Sequence, residues 1–179
     1  EKRILKNMPI SVHKTGLDEV VLIKPDIFED HRGRYVETFN RNDYRENNIN
    51  IDFVRDDIST SSKNVLRGLH YDNKTWKLIH CMYGTIYFVV ADMRKDSHQY
   101  LKWQAFTLTS DNRHQVLVPP GFANGHYVLS DHCIFHYKMS EYYDPENEIG
   151  VKWNDPKLNI YWPVKDPVLS EKDSKTKFL

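Results

Sequence analysis

His70 ends the run VLRGLH, and the chemistry it could do depends on the space around its ring. Alternation along an extended chain would put Leu66, Gly68 and His70 on one face, so that the glycine leaves room beside the imidazole. An imidazole titrating near neutrality can take up a proton and give it back. The same residue also fits a satisfied core histidine, the commoner role in such a run. Lys77 heads the apolar stretch LIHC, where a lysine is either a solvated strand-edge residue or, if the strand runs inward, a buried cation. Ser170 stands three residues ahead of Asp173, the spacing of a helix-capping pair.

The elements that must position these groups are short and β-rich. Candidate strands are VVLIKP, GRYVETF, VLRGLHY, KLIHCMY, TIYFVVADM, LKWQAFTLT, HQVLVPP, GHYVLS and CIFHYKM. Gly84 marks a tight turn in MYGT, and Pro119, Pro120 and Gly121 mark a second corner. RNDYRENN and LSEKD are the two short helical signals. Such a pattern predicts an all-β sandwich or barrel with a cavity between its sheets. TIYFVVADM is apolar on both alternating faces and predicts a strand covered on both sides, by a second layer or by a partner subunit. Residues Arg67 and His70 are three apart, so a regular strand would send them to opposite faces; both reach one cavity only if Gly68 sits at a bulge.

The chain has 179 residues, of which 40% are hydrophobic and 13% aromatic, enough for one core. One domain over 1–179 is expected, with 1–19 as an N-terminal leader and arm and 164–179 as a C-terminal segment. Lysine plus arginine equal aspartate plus glutamate at 25 each, so there is no basic field for a nucleic-acid partner. A phosphate on a ligand must then be met by a few placed arginines. No apolar run is long enough to span a membrane, which places the protein in the cytoplasm with no membrane partner. Cys81 and Cys133 read as buried free thiols.

The blocks DHRGRYVETF, VLRGLHY, KLIHCMYG, VVADMR, PPGFANG, YKMSEYYDPENE, WNDP and LSEKD occur in fixed order, and together resemble the dTDP-4-dehydrorhamnose 3,5-epimerase family over roughly residues 23–173. The resemblance implies a cupin, or jelly-roll double-stranded β-helix, and a homodimer. It implies an enzyme that inverts carbons flanking the C4 ketone of a nucleotide-linked sugar. His70 would remove the proton, with Asp173 as the carboxylate that steadies the imidazolium. Lys77 would meet the enolate oxygen and Tyr137 would return a proton from the opposite face. Arg32 and Arg67 would hold the diphosphate. Glu37, Glu148 and Lys172 fall at positions lining the substrate site. No cofactor is implied. The HxH pair of metal-binding cupins is missing, because Tyr71 and Asp72 follow His70, so no metal is expected.

The chain departs from the family in three places. Asn124 replaces a substrate-lining histidine, and His126 appears two residues later, on the same face of an extended chain. His126 either takes over that contact or packs as a structural histidine. Arg55 and Asp57 replace a glutamine and an asparagine at nucleotide-proximal positions. The segment between His70 and Lys77 is about three residues short of the family's usual loop. These changes leave open dTDP, GDP or CDP as nucleotide, a deoxy-sugar or a heptose as sugar, and C3, C5 or both as the inverted carbons. Alternatives are a related ketoisomerase or a carbohydrate-binding cupin without catalysis.

Overall fold

The computed structural model describes residues 10–179. The leader residues 1–9 lie outside the described residues. The elements in chain order are β1 (Ile10–Lys14), β2 (Val21–Pro25), β3 (Ile27–Asp30), β4 (Gly33–Val36), α1 (Arg41–Glu46), β5 (Arg55–Ser62) and β6 (Leu66–Tyr71). There follow β7 (Lys77–Tyr83), β8 (Thr85–Asp92), β9 (Trp103–Thr109), β10 (Gln115–Val118), β11 (Phe122–Val128), β12 (His132–Met139), β13 (Ile149–Gly150) and α2 (Glu171–Ser174). A six-stranded sheet in the order β1-β2-β10-β7-β12-β5 faces a five-stranded sheet in the order β13-β6-β11-β8-β9. The strand pairs within both sheets are antiparallel, and β3 and β4 form a separate hairpin.

This is the jelly-roll cupin expected from the sequence. Gly84 turns β7 into β8 with φ 83°, where an added Cβ would run into the His132 carbonyl. Residues 10–14, grouped above with the N-terminal arm, are an edge strand of the larger sheet. Cys81 and Cys133 are buried free thiols.

Three apolar layers fix the sheets. Ile86, Phe88, Leu108, Val116 and Phe122 meet between them. Val89 and Ala91, on the other face of β8, are covered by Val151, Leu158 and Trp162 from the C-terminal part of the same chain. The doubly apolar strand is thus explained within one chain, and the support it lent to a dimer falls away. The third layer packs Tyr44 of α1 and Ile49 on Ile23, Leu78 and Leu117 of the larger sheet.

Candidate active site

The bulge anticipated at Gly68 is present. Between β6 and β11 the register passes from Asn124 opposite His70 to His126 opposite Arg67, so three steps on β6 match two on β11. Gly68 has φ 111°, and a Cβ on it would lie 2.7 Å from the Asn124 carbonyl. The extra residue sends Arg67 and His70 to the same side, into the space between the sheets, while Leu66 and Leu69 pack in the outer layer. Alternation through Leu66, Gly68 and His70 therefore fails, and backbone geometry places the imidazole.

Arg67 and His70 line a cavity of about 1010 Å³ between the sheets, together with Lys77, Tyr137 and Asp173. His70 Nε2 lies 2.6 Å from Asp173 Oδ1, and Oδ2 accepts from the Gly68 N–H at 3.3 Å. Ser170 caps the helix that carries Asp173, its Oγ accepting from the Asp173 N–H at 3.0 Å. The capping spacing and the carboxylate–imidazole pair coexist because one uses the backbone and the other the side chain. Burial alone would raise the Asp173 pKa; the His70 hydrogen bond and charge, with the Gly68 N–H, outweigh it and hold the carboxyl below its usual range. With Nε2–H donated to Asp173, the His70 Nδ1 lone pair is left to accept a proton.

Tyr137 enters from the opposite wall. On the larger sheet Tyr137 stands beside Ile79 of β7 and Asp57 of β5, and the next row is Lys77, Met139 and Arg55. Burial first, then the Asp57 charge, raises the Tyr137 pKa and keeps the phenol protonated. Burial holds the Lys77 ammonium below its usual value, with Asp72 and Glu148 pulling the other way. Lys77 thus belongs to an inward-running strand.

At the floor, His126 is buried and stacked on Phe135, ring centroids 4.1 Å apart, with Nε2 lacking a hydrogen-bond partner. Burial, then Arg67 and His70, push its pKa down to about 3, so the ring is neutral. Asn124 donates to the His70 carbonyl at 3.1 Å and joins β6 to its neighbour β11. Lys172 is ion-paired with Glu148, and both line the cavity.

Two expected residues are elsewhere. Arg32 lies at the turn of the exposed β3–β4 hairpin, paired with Asp30 at 2.6 Å, and Glu37 follows that hairpin, accepting from Asn40 at 3.2 Å. Neither lines the cavity of its own chain. The hairpin pairs only with itself, so it carries them away from the sheets. Conversely, Phe135 and Tyr143 line the cavity without having been singled out. Phe135 could have been found by stepping two residues back from Tyr137. Tyr143 sits in a loop with no periodicity to give it away.

Among the described residues, no group of three His, Cys, Asp or Glu side chains is placed to hold a metal ion. No described helix is long and apolar enough to cross a membrane.

Fold and site together define a cupin with a histidine–aspartate pair on one wall of its cavity and a phenol on the other. A profile of the dTDP-4-dehydrorhamnose 3,5-epimerase family matches residues 14–179, and the chain belongs to that family. It is 42% identical to the dTDP-4-dehydrorhamnose 3,5-epimerase of Methanothermobacter thermautotrophicus, over 89% of each chain. The Bacillus anthracis enzyme of the same name, solved with TDP and PPi bound, superposes with TM-score 0.92 at 39% identity, over 95% of this chain and 99% of that one. The Legionella pneumophila dTDP-6-deoxy-D-glucose-3,5-epimerase, solved in complex with dTDP-4-keto-L-rhamnose, gives 0.90 at 39% identity, over 94% and 92%.

Proposed function

We propose that this protein is an isomerase that epimerises a nucleotide-diphosphate 4-keto sugar at C3, C5 or both. The observation that carries the reading is the His70–Asp173 pair on one wall of the cavity with Tyr137 on the other. His70 Nδ1 takes the proton from a carbon flanking the ketone, and Asp173 steadies the resulting imidazolium. Lys77 donates to the enolate oxygen, where a desolvated cation acts more strongly than in water. Tyr137 delivers a proton to the opposite face and completes the inversion.

Arg67 holds the diphosphate, its own guanidinium anchored by an Nε hydrogen bond of 2.8 Å to Ser61 Oγ. Lys172 and Glu148 border the entrance, and His126 takes over from the family histidine that Asn124 replaces. His126→Ala with unchanged turnover and affinity would refute that last assignment. The protein acts as a homodimer, and the projecting hairpin brings Arg32 and Glu37 to the partner's cavity. We place it in the cytoplasm, supplying deoxy-sugars for surface polysaccharides. Incubation in deuterated water with dTDP-, GDP- and CDP-linked 4-keto-6-deoxy sugars tests the reaction. Deuterium at C3 or C5 is expected; no incorporation from any of them would sink it.

A further inference from the structure

Arg55 and Asp57 belong to this chain's departures, and the register shows what they border. Row by row across the inner face of the larger sheet stand Lys77, Met139 and Arg55, then Ile79, Tyr137 and Asp57, then Cys81, Phe135 and Ser59. Arg55 is level with Lys77, two strand spacings or about 10 Å away. Arg67 is held at the other end of the same strand, by Ser61. Six residues separate positions 55 and 61, on the order of 20 Å along an extended strand. A diphosphate centred on Arg67 is therefore nearer the Ser61 end of β5 than the Arg55 end.

On the proposed function, the C4 ketone points at Lys77 and the diphosphate, on C1 across the ring, points at Arg67. The ring then lies obliquely across β12, from β7 at its C4 end toward β5 at its C1 end, and presents two flanks. One faces β7, where Ile79 and Cys81 are apolar. The other faces Arg55 and Asp57. These two side chains lie 3.2 Å apart, Arg55 Nε to Asp57 Oδ2. Arg55 Nε meets Asp57 Oδ2 only as this ion pair, without hydrogen-bond alignment, Nη1 has no hydrogen-bond partner and is shielded, and Nη2 reaches only the Met139 thioether at 2.7 Å. The ring of Tyr143 covers the guanidinium, its centroid 5.4 Å from Cζ. Tyr143 is 67% exposed, so a ligand displaces it at little cost.

A shielded donor without a protein acceptor, such as Arg55 Nη1, favours an oxygen supplied from the cavity, and a bound ligand can provide it. Asp57 offsets the Arg55 charge, so the pair as a whole offers an anionic group no net attraction. A neutral hydroxyl fits both halves of the pair, accepting from Arg55 and donating to Asp57. We propose that Arg55 and Asp57 are specificity-determining residues that read a hydroxyl on the sugar carbon flanking the ketone on the β5 side. That hydroxyl comes from C3 or from an oxygenated C6. A polar site of this kind rejects an analogue lacking the hydroxyl far more strongly than an apolar site rejects an extra one.

The experiment rests on the epimerase reading but separates the two. Exchange in deuterated water is compared for a nucleotide-linked 4-keto-6-deoxyhexose, its 3-deoxy analogue and its 6-hydroxy counterpart, each with the wild-type protein and with the Arg55→Gln, Asp57→Asn double variant. The wild type should favour the hydroxyl-bearing member of one pair by on the order of 10²-fold or more in kcat/KM. The double variant should bring that ratio to within several-fold. The pair showing the preference tells C3 from C6. Ratios near one for both pairs in the wild type, or a ratio unchanged in the variant, overturn the proposal. If nothing exchanges, the epimerase reading fails, and the ratio of Kd values for the same pairs on the wild-type protein decides whether the hydroxyl is read.

Discussion

Between the sheets, the side bounded by β8, β9 and β10 is filled by Ile86, Phe88, Leu108 and Val116, all fully buried. The side bounded by β5, β6 and β13 holds a cavity of about 1010 Å³ with His70, Lys77, Arg55 and Asp57 on its walls. One strand serves both. Cys133 and Phe135 of β12 pack in the apolar half, and two residues further Tyr137 faces the cavity. Burial stabilises the first half at roughly 25 cal/mol per Å² of apolar surface. In the second it acts against the charges, as the lowered pKa values of Lys77 and His126 show. The filled half supplies the rigidity that lets the other half keep polar groups poised without partners.

The contrast can be broken from either side. His70→Gln, whose amide can still donate to the buried Asp173, should lower turnover by about 10²- to 10⁴-fold while the thermal midpoint hardly moves, as steady-state rates and calorimetry on one preparation would show. Phe88→Ala should do the reverse, costing about 3–5 kcal/mol in denaturant unfolding, because the closed half leaves a hole where the ring was. Lys77→Met should reduce turnover by about 10²- to 10³-fold yet hold or raise Tm, since it removes a desolvated cation. A clear drop in Tm would mean that the lysine serves the fold.

The last contrast is one of pH. Burial, with Arg67, pushes His126 down to about 3, and burial, with His136, pushes His80 down to about 4. Both folded-state values lie below the ordinary 6.5. The unfolded chain therefore binds more protons in acid. The stability from keeping these rings neutral is complete above about 6.5 and is lost as pH falls toward the folded values. Each ring contributes a slope of up to about 1.4 kcal/mol per pH unit. Unfolding curves from pH 7 to pH 4.5 should show this slope, and His126→Gln should remove one ring's share.

The filled half was easy to read and the polar half was not, for one reason. Apolar strands such as β8 and β10 declare themselves by composition, but β5 turns Arg55, Asp57, Ser59 and Ser61 inward and looks like a loop. The strands β1 and β3 carry little apolar alternation in the sequence, because half or more of their residues are exposed. The bulge at Gly68 was legible, because Arg67 and His70 can share a cavity only if the period is broken there. The position of Arg32 and Glu37 was not, since hairpin β3–β4 pairs with neither sheet. The covering of β8 by residues 151–169 escaped notice because those residues lie in irregular turns.

The division of labour between the two walls comes down to Tyr137→Phe, followed in deuterated water by NMR of a 4-keto sugar nucleotide. If His70 alone takes the proton and Tyr137 alone returns one from the other side, the variant should still exchange deuterium at the carbon beside the ketone. It should do so with configuration retained and inversion suppressed by 10²-fold or more. Inversion at the wild-type rate would contradict a phenol acting opposite the imidazole.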